Sequence, residues 1–226
     1  MKVCAVSKGE WFVESFRFTV FVSGIPDLDG HWWASVTGEE PSLRNANPRQ
    51  GLLQEEGPVG AVKLSIAAQP FRLDCVFSVR DDQSSAGTEF SHLAHPIDAL
   101  PSFRSTVAKL VSLEKLLPIN RVAFGLILLA PVSDHGSGYA LLSEYLSFKL
   151  DGASSSEFLY QINRPREVQI GGKPTKVNRL SKWAVAQLKM LAMQRGPENQ
   201  TVQTAGHIAA RGTTSAKLRR CLARRW

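Results

Sequence analysis

The sequence predicts an α+β domain with a mixed or antiparallel sheet and two or three packed helices, followed by a disordered basic C-terminal tail. Three observations lead there. The longest apolar run, P-I-N-R-V-A-F-G-L-I-L-L-A-P-V at residues 118–132, is rich in β-branched and aromatic residues and bracketed by prolines. It is far shorter than the roughly 20 residues that a bilayer-crossing helix needs, and it fits a strand buried on both faces at the centre of a sheet. Residues 97–117 repeat apolar side chains at helical spacing, while residues 16–22, 61–68 and 71–80 alternate at β spacing.

Composition sets the bounds. With 226 residues, 43% hydrophobic and 21% charged, the chain is long enough for a sizeable core and reads as globular. One domain is placed at residues 1–195 and the tail at 196–226. No membrane segment is evident, and M-K-V-C-A-V meets Lys8 and Glu10 too soon for a secretory signal, so a cytoplasmic setting is expected. Cys4, Cys75 and Cys221 are odd in number and far apart, which suits free thiols in a reducing compartment.

Taken in order, F-R-F-T-V-F-V places Phe16, Phe18, Val20 and Val22 on one strand face, with Arg17 and Thr19 on the other. Gly24-Ile25-Pro26-Asp27 turns the chain. Asp29 is placed to cap a short helix carrying Trp32, Trp33 and Val36, which Gly38 ends. Adjacent tryptophans point different ways, which allows one in the core and the other at a rim or partner contact, while burial of both in the core is the favoured reading. Residues 39–60 read as a long irregular connection. Residues 61–68 and 71–80 form an antiparallel hairpin turned by Gln69-Pro70.

The helix over 97–117 carries Leu100, Phe103, Val107 and Leu110, with Asp98 as its cap and Pro101 in its first turn. A second helix is expected over 139–148, and a strand over 157–163. A glycine turn at 170–174 leads into 175–178. Residues 180–194 read as a helix with Trp183, Leu188 and Leu191 on one side, although K-W-A-V-A also fits a strand. Residues 197–216 hold few apolar anchors, which predicts disorder.

Catalytic signatures are sparse. Ser133, Asp134 and His135 stand side by side, whereas a nucleophile triad draws its members from separate elements. There is no G-x-S-x-G elbow and no P-loop lysine. His92 and His95 make an H-x-x-H pair, but Pro96 argues against a regular helix there and no third ligand stands nearby, so no metal site is assigned. No motif asks for a cofactor. The sequence therefore leans away from an enzyme.

Charge is more informative. Of a net +7, residues 1–162 hold 13 Lys/Arg against 18 Asp/Glu, while residues 163–226 hold 14 against 2. An acidic body with a basic end suits contact with phosphates or an acidic partner. An apolar-Asn-Arg motif recurs as Ile119-Asn120-Arg121, Ile162-Asn163-Arg164 and Val177-Asn178-Arg179, each at one end of an expected strand. If those strands are neighbours, Arg121, Arg164 and Arg179 gather along one sheet edge, where guanidinium forks suit phosphates and amides suit base edges. Arg166, Lys173, Lys176 and Lys182 widen the patch, and Arg219 and Arg220 add a basic cluster in the tail.

The leading reading is a non-enzymatic intracellular binding subunit of a multi-protein system of bacterial type, contacting nucleic acid through its basic C-terminal third. The alternative is a protein–protein adaptor or inhibitor whose interface is Trp32, Trp33 and the 39–60 loop.

Overall fold

The computed structural model describes residues 11–80, 96–152, 154–155, 157–170, 172–193, 201–212 and 214–216. Strand β1 (Phe12–Val22) lies between β5 (Arg72–Val79) and β6 (Ile119–Val132), antiparallel to both. Outward from β5 the sheet continues through β4 (Val62–Gln69), β3 (Leu52–Val59) and the edge strand β2 (Leu43–Asn47). On the other side β6 pairs with β11 (Thr201–Gly212), then β10 (Leu180–Met193), then β7 (Leu159–Asn163). β12 (Thr214–Ala216) bonds to β6 and to β9 (Lys173–Asn178), which closes a hairpin with β8 (Arg166–Ile170). Every described pairing is antiparallel, and three helices complete an α+β fold: α1 (Trp32–Thr37), α2 (Pro96–Val111) and α3 (His135–Ser143). No described helix is long and apolar enough to cross a membrane.

Alternation decides which face is covered. Phe16, Val20 and Val22 of β1, Leu73, Cys75 and Phe77 of β5, and Leu64 and Ile66 of β4 all point to one side, where they are buried. Phe103 and Leu110 of α2 and Trp32, Trp33 and Val36 of α1 close over them. The Phe103 ring stacks on Phe16 at 5.1 Å and meets Phe77 edge-on at 5.2 Å, which ties α2 to two strands at once. Sixteen buried residues make this core continuous from β3 to α2.

Helix α1 begins without a side-chain cap of its own: His31 holds the cap position in the left-handed region at φ 45°, and its ring accepts from the Arg44 guanidinium at 2.9 Å rather than from the helix. Its cap comes from another strand. Glu55 of β3, fully buried, accepts the Trp33 backbone N–H at 2.7 Å, and Arg44 Nε stands 3.6 Å from the same carboxylate. Gly38 ends the helix at φ 85°, as expected, with its N–H on the Ala34 carbonyl at 2.8 Å.

Several expectations change. The 39–60 segment is two strands joined by a 3-10 turn at Pro48–Gln50, because Leu53, Glu55 and Gly57 alternate inward. Asp29 does not cap α1; its own N–H bonds the Asp27 carboxylate at 3.0 Å. Trp32 and Trp33 are both 1% exposed, so the favoured core reading of the pair holds and neither forms a rim. α1 sits in a corner: the Trp32 indole N–H reaches the Asp27 carbonyl at 2.7 Å, and Trp33 lies against Gly57, where an added Cβ would stand 2.9 Å from its ring. β6 is central in the ladder but not doubly buried, since only Leu129 and Ala130 fall in the core and Ile127 is 41% exposed. The helix expected over 139–148 is α3, which starts at His135 and ends at Ser143. Residues 180–193 are strand β10 rather than helix, bonded to β7 on one side and β11 on the other. The described backbone of β11 and β12 pairs with β10, β6 and β9.

Cys75 yields a testable consequence of this packing. Burial, and then the neighbouring Asp74 charge, push its thiol up to about 12. The folded state therefore keeps a proton that the unfolded chain, with an ordinary thiol near 8.5, gives up. Stability is full below that ordinary value and falls as pH rises towards 12, by about 1.4 kcal/mol per pH unit from this group. Urea titrations between pH 7 and about 10.5 should show a shallower alkaline decline in Cys75→Ala than in the parent.

Candidate nucleic-acid interface

The basic third is held to the sheet by aromatic packing. Trp183 and Val185 of β10 are buried with Tyr139 and Leu142 of α3 and Ala130 of β6. Tyr145 stacks on Trp183 at 5.8 Å, and Trp11 packs edge-on to both while its indole N–H bonds the Tyr145 hydroxyl at 3.0 Å. Gly138 admits the Val185 side chain so closely that an added Cβ would stand 2.8 Å from it. This second core positions β10, and β10 in turn positions β7 through the register Leu180↔Asn163 to Ala184↔Leu159.

That register brings two of the three Asn-Arg motifs together. Asn163 and Leu180 are cross-strand partners, and the Arg164 N–H donates to the Arg179 carbonyl at 3.0 Å. Two arginines thus leave neighbouring strand ends with their backbones bonded to each other, both exposed. Arg166, Lys173, Lys176 and Lys182 are exposed as well. None of these six cations forms an ion pair with another described residue, although Glu167 is the cross-strand partner of Lys176.

The third motif joins through β12. Its Ala216 pairs with Val122 of β6 and with Val177 of β9, and Ser215 pairs with Ala123 and Asn178. Asn178 therefore shares the sheet face of Ala123, two strand spacings away, roughly 10 Å. Arg121 lies on that same face. It is half-buried rather than extended into solvent, with its guanidinium carbon 5.0 Å from the centre of the Phe21 ring. Arg72 flanks the same ring from the other side at 6.0 Å and is anchored on Asp74, Nε to Oδ2 at 2.6 Å and Nη2 to Oδ1 at 2.9 Å. The Thr19 hydroxyl also donates to Asp74. Phe21 and Arg72 were absent from the sequence candidates, yet the signal was there: F-R-F-T-V-F-V leaves Phe21 alone among polar residues on the Arg17–Thr19 face.

Arg219, Arg220, His92 and His95 lie outside the described residues. The Ser133–Asp134–His135 loop is a helix cap. Asp134 accepts the Ser137 N–H at 2.7 Å, and the Ser133 hydroxyl donates to its other oxygen at 2.8 Å. The Ser137 N–H, followed by the two hydroxyls, holds the Asp134 carboxyl below its ordinary value. His135 packs its ring edge-on to Tyr139 at 6.1 Å. No protein-family model and no curated protein matches the chain.

Proposed function

We propose that the protein is a non-enzymatic nucleic-acid-binding subunit whose basic C-terminal third meets the phosphate backbone. One observation carries the reading: the β7–β10 register sets Arg164 beside Arg179, and these two and four further cations of the basic third are exposed with no ion-pair partner among the described residues. Cations so placed neutralise phosphates and release counterions, so affinity falls as salt rises. The side-chain amides of Asn163 and Asn178 stand next to these arginines in sequence and supply hydrogen-bond groups for base edges or sugars. Fluorescence anisotropy of the full chain on a labelled oligonucleotide should give a log affinity that drops linearly with log salt, with a slope of about −3 to −4 if most of the six engage. A slope of zero, or no binding at low salt, contradicts the reading.

A second reading, an adaptor for another protein, draws on a different feature. Edge strand β2 is exposed along its whole length and, among the described residues, pairs on one side only, with Leu43 55% exposed. Trp32 and Trp33 support this reading only indirectly, as the core beneath β3.

A further inference from the structure

Strand β4 passes into β5 through a two-residue turn, Pro70-Phe71, closed by the pair Gln69↔Arg72. Phe71 adopts φ 63°, in the left-handed region where a Cβ is crowded and glycine or asparagine is the ordinary occupant. The turns at β2–β3, β3–β4 and β8–β9 place Gly51, Gly60 and Gly172 at φ 65°, 58° and 75°. Only at β4–β5, among these, does a large side chain take the position. Burial does not explain it, since Phe71 is 58% exposed. Its backbone is fixed from both sides, the N–H on the Gly24 carbonyl and the carbonyl under the Val22 N–H, each at 3.0 Å. A rigid, strained turn thus holds an aromatic ring out into solvent.

The next residue is Arg72, which begins the row Arg72–Phe21–Arg121 across three neighbouring strands. Arg72 is charge-compensated by Asp74, so its planar guanidinium is fixed beside the Phe21 ring and is not available as an extra phosphate contact. On the face beyond, the small residues Ala123 and Gly125 of β6 stand opposite Thr19 and Arg17.

We propose that Phe71 and the Arg72–Phe21–Arg121 row form a base-stacking platform for unpaired nucleotides, so that the nucleic acid bound is single-stranded. This rests on nucleic-acid binding by the basic third. In a duplex the base faces are already stacked on one another, and only an unpaired base has a π face free for a ring or a guanidinium. Phosphates of the same strand would lie towards Lys176 and Asn178, which the β12 register sets along the same face.

The test uses the full chain and three labelled probes of one sequence: a single-stranded oligodeoxynucleotide, the matching oligoribonucleotide and the DNA duplex. Phe71→Gly should weaken single-strand binding about tenfold, as loss of one base–aromatic stack does, and leave duplex binding unchanged. The same variant should melt at a higher temperature than the parent, because glycine accepts the left-handed turn without strain. Phe71→Tyr should keep single-strand affinity. Comparison of the first two probes assigns the strand as DNA or RNA. Unchanged single-strand affinity in Phe71→Gly, or equal losses on strand and duplex, overturns the platform while leaving salt-dependent binding intact; the exposed ring would then serve a protein contact. Failure of the parent to bind any probe overturns both.

Discussion

Phe103→Ala is expected to remove about 4 kcal/mol of folding stability, a large share of the 5–15 kcal/mol typical of a domain. The ring is 1% exposed and has aromatic neighbours on three strands: Phe16 at 5.1 Å, Phe77 at 5.2 Å and Phe124 at 5.9 Å. Its loss leaves a cavity that these stiff neighbours fill poorly, so the transfer cost and the cavity cost add. Leu110, the other buried anchor of α2, holds the far end of the helix and should keep it docked. Arg104→Ala, one residue along on the exposed side of the same helix, should change stability by less than about 0.5 kcal/mol. Urea denaturation midpoints of the two variants measure the contrast, and equal effects would mean that α2 does not pack on this face.

The second large effect concerns binding. Arg164→Ala combined with Arg179→Ala should lower oligonucleotide affinity by between about 10- and 100-fold at low salt, since each charge-assisted phosphate contact is worth more than a neutral one. The salt slope should also become shallower by about 1.4, at roughly 0.7 per phosphate for a single strand. Folding stability should hold or rise slightly, because the substitution removes two like charges from bonded strand ends. A control pair, Arg104→Ala with Lys109→Ala, removes the same net charge from α2 and should change affinity little. Equal losses in both pairs would mean that total charge, and not the β7–β10 junction, governs binding.

Elements with one clear period are legible in the sequence. β1 and the β4–β5 hairpin stand where alternation puts them, and α2 where helical spacing does, although it spans Pro96–Val111 rather than 97–117 and so begins before Asp98, its expected cap. β10 was ambiguous for a physical reason. L-S-K-W-A-V-A-Q-L supports both periods, and its partners β7 and β11 are remote in sequence, so the pairing that decides it is invisible locally. β3 hid because its inward position 55 is a glutamate, buried only because α1 needs an acceptor for the Trp33 N–H. The paired burial of Trp32 and Trp33 likewise depends on the corner between β3 and α2.

The site was half legible. The Asn-Arg repetition pointed to Arg164 and Arg179, and the fold brings those two together. It also pointed to Arg121, whose half-buried stacking on Phe21 needs the registers of β1, β5 and β6 to be known. Phe71 carried no signal beyond an ordinary Pro-containing turn, because strain is a property of φ and not of composition.

The most direct test is fluorescence anisotropy of the full chain on a labelled single-stranded oligonucleotide across a salt series, parent against the Arg164→Ala, Arg179→Ala double variant. Binding by the basic third predicts a steep slope in the parent and a weaker, shallower one in the variant. Identical slopes and affinities in the two proteins, or no binding by the parent at low salt, would contradict it.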